Sequence, residues 1–118
     1  MQNLKELITD LNNLVLQGRT MDAFEKYYHD NVVMQENGST PTVGKDENRK
    51  REEEFLSNLI DFRNAKVLEI ATGDDLTMVI WQYDYTHKDW GVRNYTQVSV
   101  QMWRNGKIIK EQFFYGNN

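Results

Sequence analysis

Three stretches, LTMVIWQYDYTH at residues 76–87, VRNYTQVSVQMW at 92–103 and KIIKEQFFY at 107–115, decide the fold of this chain. Each is rich in β-branched and aromatic residues and reads as a strand. Between them lie the turn signals Lys88-Asp89-Trp90-Gly91 and Asn105-Gly106. Both residues of Asn-Gly accept a positive φ, so a two-residue turn pairs Arg104 with Lys107 and makes an antiparallel meander. Counting back from that turn places Glu111 opposite Val100, Phe113 opposite Val98, Tyr115 opposite Thr96 and Ile109 opposite Met102. A four-residue first loop adds Val79, Trp81, Tyr83 and Tyr85 to the same face. That face is apolar and aromatic, with Glu111 as its only carboxylate. The opposite face is mixed, with Tyr95, Gln97, Gln101, Trp103 and Phe114 among its members.

An apolar sheet face needs a cover, and composition limits what that cover is. At 118 residues the chain is read as one domain, residues 1–118, with a single core. It has no cysteine, which excludes a disulfide scaffold, a thiolate zinc site and a cysteine nucleophile. Its net charge of -4 argues against nucleic acid, whose phosphates demand a concentrated positive patch. The one basic cluster, Arg49-Lys50-Arg51, runs directly into Glu52-Glu53-Glu54 and reads as a solvated helix face. Apolar runs are only a few residues long, and the N-terminus lacks a basic start followed by an apolar block. The expectation is therefore a cytoplasmic protein with no membrane partner.

Three helices are available to lie on the sheet. Leu4, Leu7, Ile8, Leu11, Leu14 and Val15 recur at helical spacing and are followed by Gly18, a stop signal. Thr20 is placed to cap a second helix through about Tyr28, with Met21, Phe24, Tyr27 and Tyr28 facing inward. A strand Val32–Glu36 follows, then a loop with Asn37-Gly38 and the sole proline, Pro41. A third helix is expected from about Asp46 to Leu59, anchored by Phe55, Leu56, Leu59 and Ile60. Ala65–Thr72 is a further strand, turned at Asp74-Asp75 so that Leu68 and Ile70 lie beside Trp81 and Val79.

Three segments, Phe24-Glu25-Lys26-Tyr27-Tyr28-His29-Asp30-Asn31-Val32-Val33, then Gly44-Lys45-Asp46, then Trp103-Arg104-Asn105-Gly106-Lys107-Ile108-Ile109, occur in an order and spacing that resemble the nuclear transport factor 2-like superfamily. Within it they look most like the SnoaL-like, polyketide-cyclase and isomerase branch. The resemblance implies an α+β fold: a cone-shaped α+β barrel with three N-terminal helices packed on a strongly curved, mixed, mostly antiparallel sheet. It also implies a pocket between sheet and helices, and a homodimer through the convex sheet face. On this chain that face would carry Tyr95, Gln97, Gln101, Trp103 and Phe114. One departure weighs against a ketosteroid-isomerase-like mechanism, since the first helix has no tyrosine.

Fold of this kind does not fix activity, so chemistry has to come from residues. A carboxylate among aromatic rings is a general acid or base, because desolvation disfavours its charge and moves its pKa toward neutrality. Glu111 is the candidate catalytic residue; the competing reading makes it a structural anion bonded to a tyrosine or an arginine. Tyr27, Tyr28, Trp81, Tyr83, Tyr85, Thr96, Val98, Phe113 and Tyr115 are the candidate lining of a site for a small hydrophobic ligand. Those same rings would fill the cone if it held no cavity. His87 shares the parity of Trp81, Tyr83 and Tyr85, which would set it at the pocket mouth, but beside a turn it is read as a solvated loop-end histidine; His29 is read as a cap on the second helix, and Asp30 as a turn former. Glu36 is undecided between cavity and solvent. No metal-ligand spacing is present and no cofactor is implied. Two functions remain open: cofactor-independent acid/base chemistry, with Tyr83 or Tyr115 stabilising an enolate-like oxyanion, and a ligand-binding or dimerisation module without turnover.

Overall fold

The computed structural model describes residues 3–116, which form three helices and one six-stranded sheet. Helix α1, Leu4–Leu16, starts where the Asn3 side chain accepts the Glu6 amide. It ends in a left-handed Gly18 (φ 78°), whose N–H bonds Val15 O while that of Arg19 bonds Leu14 O. This pair of bonds satisfies carbonyls the helix end would leave open, and only glycine adopts that φ without strain. The apolar stripe buries Ile8, Leu11 and Leu14. Helix α2, Thr20–Tyr27, buries Ala23, Phe24 and Tyr27, with Arg19 rather than Thr20 in the cap position.

Strand β1, Tyr28–Glu36, starts four residues earlier than expected. It is joined by a short β2, Thr42–Val43, that period-2 reading misses. Helix α3, Lys45–Ser57, contains few apolar residues and is fixed by an amide instead. Buried Asn48 reaches the carbonyls of Gly44, Thr42 and Val32 at 2.8, 3.0 and 3.3 Å, tying the helix to β1 and β2. Strands β3 (Leu59–Thr72), β4 (Leu76–His87), β5 (Gly91–Arg104) and β6 (Lys107–Tyr115) complete the meander. The sheet order is β2-β1-β6-β5-β4-β3; β1 runs parallel to β6 and every other pair is antiparallel. The sheet stays open, and its curved inner face is covered by the helices. Ile70 pairs with Val79 as expected, but Val67 takes the place beside Trp81, because an irregularity between Val67 and Glu69 turns Leu68 outward.

The inner face of β4 agrees with the sequence reading, as does that of β6 from Glu111 onward, and that of β5 is inverted; at the start of β6 Ile108, expected outside, is the fully buried residue. Asn105 and Gly106 both have positive φ (50° and 78°), and Arg104 pairs with Lys107. A bulge follows: Trp103 pairs with Ile108 and Met102 with Lys110, leaving Ile109 as the extra residue. Glu111 therefore lies opposite Gln101, not Val100. At the other end the loop has three residues, because Gly91 (φ 73°) pairs directly with His87. A one-residue slip moves every side chain of a strand to the other face.

Two expectations fall with that slip. Thr96 and Val98 turn outward and do not line the interior, whereas Tyr95, Gln97, Ser99, Gln101 and Trp103 are buried inside. The outer homodimer surface expected at Tyr95, Gln97, Gln101 and Trp103 is thus not on the outside. The convex face carries Phe114, Met102 and Met78, each 40–45% exposed, with Val98 and Val100 half-buried between them.

Candidate functional site

Between the inner sheet face and the helices lies a cavity of about 810 Å³. Trp81, Tyr83, Tyr85, Phe113, Tyr115 and Tyr28 line it, as the sequence reading expected, together with Tyr95, Phe55 and Trp90. Tyr27 does not reach it. As the last residue of α2 it packs edge-on against Trp103 and donates its hydroxyl to Asp10, joining α2 to α1. Its neighbour Tyr28 opens β1 and turns into the cavity instead.

Glu111 sits at the centre of a chain of hydrogen bonds. It is 2% exposed; Tyr28 donates its hydroxyl to Oε1, and Gln101 donates Nε2–H to Oε2 at 2.7 Å. Gln101 Oε1 in turn accepts from Thr77 Oγ1 at 2.7 Å, and Thr77 Oγ1 accepts from Trp103 Nε1 at 2.9 Å. The indole N–H only donates; Thr77 accepts it and donates onward to Gln101 Oε1, which leaves Gln101 Nε2–H facing the carboxylate. Burial pushes the Glu111 carboxyl up to about 7, against the lowering influence of its two hydrogen bonds. Thr77→Val removes the donor that orients Gln101. The freed amide can turn its oxygen toward Glu111 and accept from the protonated form, so the Glu111 pKa is expected to rise further. An unchanged carboxyl titration in that variant would show that Thr77 does not set the amide's direction.

A second carboxylate, Glu52 of α3, lines the same cavity. Desolvation, then the charges of Glu111 and Glu36, push it up to about 7, with Arg51 acting in the opposite sense. No hydrogen bond to another described residue holds it. Tyr83 faces both carboxylates: desolvation first, then the charges of Glu111 and Glu52, hold its phenol far above the ordinary value, and its hydroxyl is also uncommitted. Tyr115 is not free in this way, because its hydroxyl donates to Glu36 at 3.0 Å. Of the carboxyls that line the cavity, Glu111 is held from both sides and Glu52 is unheld, and Tyr83 adds an unheld phenol.

Glu52 was hidden by its neighbours. Arg49 pairs with Glu25 and Asp46, Lys50 with Glu47, and Arg51 with Glu36, as a solvated face would. Glu52, however, precedes Phe55 by three residues and Leu56 by four, so extending their inward stripe back one turn lands on it. That spacing was the available signal.

The remaining candidates have structural surroundings. His87 is buried, not solvated: the three-residue loop folds Trp90 back onto its ring at 3.8 Å, Phe55 lies beyond at 5.7 Å, and Nδ1 accepts the Asp89 N–H. His29 belongs to β1, where Nδ1 accepts the Asn31 N–H at 3.0 Å, and it does not cap α2. Asp30 is exposed beside the start of α3. Glu36 stands at the cavity rim between Arg51 and Tyr115. No described helix is long and apolar enough to cross a membrane.

An open, curved six-stranded sheet covered by three helices is the cone-shaped, nuclear transport factor 2-like class of fold. The sequence profile of the SnoaL-like domain matches residues 8–111, and the chain belongs to that family. Solved structures agree. A candidate SnoaL-like polyketide cyclase from Mesorhizobium loti superposes with a TM-score of 0.87 at 24% identity, over 97% of this chain and 100% of that one. A protein of unknown function from Burkholderia pseudomallei, described as NTF2-like, gives 0.81 at 13% identity over 98% and 92%. A candidate SnoaL-like cyclase from Jannaschia gives 0.78 at 7% identity over 93% and 85%. At these identities the likeness establishes the fold alone. No curated protein matches the chain in sequence.

Proposed function

We propose that the protein performs cofactor-independent acid/base chemistry, of isomerase, cyclase or dehydratase type, on a small, largely apolar carbonyl compound held in the cone. The observation that carries this reading is the cavity's pair of carboxyls. Glu111 and Glu52 are both pushed to about 7 in one cavity, so near neutral pH the pair holds about one proton and offers an acid and a base together. Glu111 is the proton carrier: it takes a proton from the carbon next to the carbonyl, and the resulting charge moves to the carbonyl oxygen. The free phenol of Tyr83 donates a hydrogen bond to that oxygen. Glu52 delivers a proton at the second position.

One observation favours a second reading, a binding module without turnover: both Glu111 oxygens already have partners. One experiment separates the two. The protein is incubated with 2-tetralone in D₂O at pH 7, and loss of the α-protons is followed by ¹H NMR. Exchange faster than in buffer is expected, falling by about 10²-fold or more in Glu111→Gln. Binding of the ketone with exchange at the buffer rate would leave the module and remove the enzyme.

A further inference from the structure

The described residues bury side-chain polar atoms without a hydrogen-bond partner on only two residues, Asn12 and Arg93, and both residues line the cavity. Buried polar groups in folded proteins are overwhelmingly paired, and an orphan costs desolvation free energy that nothing returns. Two exceptions on residues that line one space, their orphan atoms just beneath its surface, point to a partner that draws them out on occupying that space. Arg93 loses little, since only Nε is orphaned and its guanidinium lies over the Tyr95 ring at 5.2 Å. Asn12 loses more: it is 3% exposed, and neither Oδ1 nor Nδ2 has a partner.

Asn12 sits on the inward face of α1 among Ile8, Leu11 and Leu14, where the apolar pattern alone would place a leucine. A leucine there would fill the same stripe with no polar group to desolvate. We propose that Asn12 is the ligand anchor of this cavity, its amide pairing with a ligand edge that presents an acceptor beside a donor. Nδ2–H donates to the ligand's carbonyl oxygen, and Oδ1 accepts from an adjacent N–H or O–H. The ligand class is accordingly a flat, mostly apolar ring system carrying one such edge, as in a cyclic amide or a hydroxy-ketone. This rests on the cavity reading above but not on proton transfer by Glu111.

A matched series of probes tests it. 3,4-Dihydroquinolin-2-one has both carbonyl and N–H, 2-tetralone only the carbonyl, and tetralin neither, at nearly constant shape. Affinities read by NMR titration are expected to fall in that order, by about tenfold for each hydrogen bond lost. In Asn12→Leu and Asn12→Ala the preference for 3,4-dihydroquinolin-2-one over 2-tetralone should vanish, because only Asn12 Oδ1 reads the N–H, whereas Tyr83 still reaches the carbonyl; Asn12→Leu should melt at a higher temperature than the parent because it removes a buried orphan. An equal affinity for all three probes in the parent, or a preference for the amide over the ketone that survives both substitutions, would overturn the anchor. So would a lowered melting temperature in Asn12→Leu with the order intact, which marks a structural role. Glu111→Gln should leave the order unchanged, so loss of α-proton exchange with the order retained would remove the catalytic proposal and leave Asn12 standing.

Discussion

Trp81→Ala is expected to cost about 3 to 5 kcal/mol of stability, the usual range for truncating a large buried aromatic. Trp81 is 3% exposed at the middle of β4, stacked on Tyr83 at 5.3 Å with the rings 10° from parallel, and paired with Val67 on β3 and Gln97 on β5. Its removal takes contacts from the sheet and from the helices that cover it. Because one side of the ring borders the cavity, the new void merges with existing space, and the lower half of the range applies. A domain of this size has roughly 5 to 15 kcal/mol in total, so the variant should unfold at clearly lower denaturant. A change below about 1 kcal/mol would show that the ring does not support the inner face.

The second large effect is on pH dependence. Glu111 in the folded protein is pushed from 4.5 to about 7, so between those values the folded state keeps a proton that the unfolded chain has released. Stability from this group is complete below the unfolded pKa and is lost as pH rises through the folded one. Over that window the loss is about 3 kcal/mol for Glu111. Glu52 adds in the same direction, and the two share the repulsion between their charges. Glu111→Gln keeps the size and a bonding partner for Tyr28 and Gln101 but has no proton to lose. Relative to the parent it should therefore be stabilised progressively from pH 5 to pH 8, as measured by urea unfolding at each pH. A constant difference across that range would mean that Glu111 is ionised throughout.

Much of the architecture is legible in the sequence because it follows from strong local signals. Asn105-Gly106 sets the last hairpin, the six-residue stripe sets α1, and Gly18 ends it. The inner faces of β4 and of β6 beyond its bulge also come out correctly, although each was placed through β5, which did not. Two one-residue features cancel: the bulge at Ile109 shifts β5 against β6, and the three-residue loop before Gly91 shifts it back against β4. Alternation in β5 itself gives the wrong answer. Val98 and Val100 suggest the inside, yet Gln97, Ser99 and Gln101 take it, because the carboxylate on β6 needs a donor and the donor needs a fixed direction. Patterning fails at the place where polar groups are required to be buried, which is where a site is expected. Glu52 and Asn12 were missed for the same reason, since each takes an inward helix position that pattern reading assigns to apolar residues.

The most direct test of the proton-carrying cavity is a ¹³C titration of the glutamate carboxyls by NMR, with Glu111 and Glu52 assigned through their Gln variants. Two carboxyls titrating near 7, with Glu52 moving down when Glu111 is replaced by Gln, is the expected result. A Glu111 pKa at or below the ordinary glutamate value of about 4.3 would contradict it and make the residue a paired structural anion.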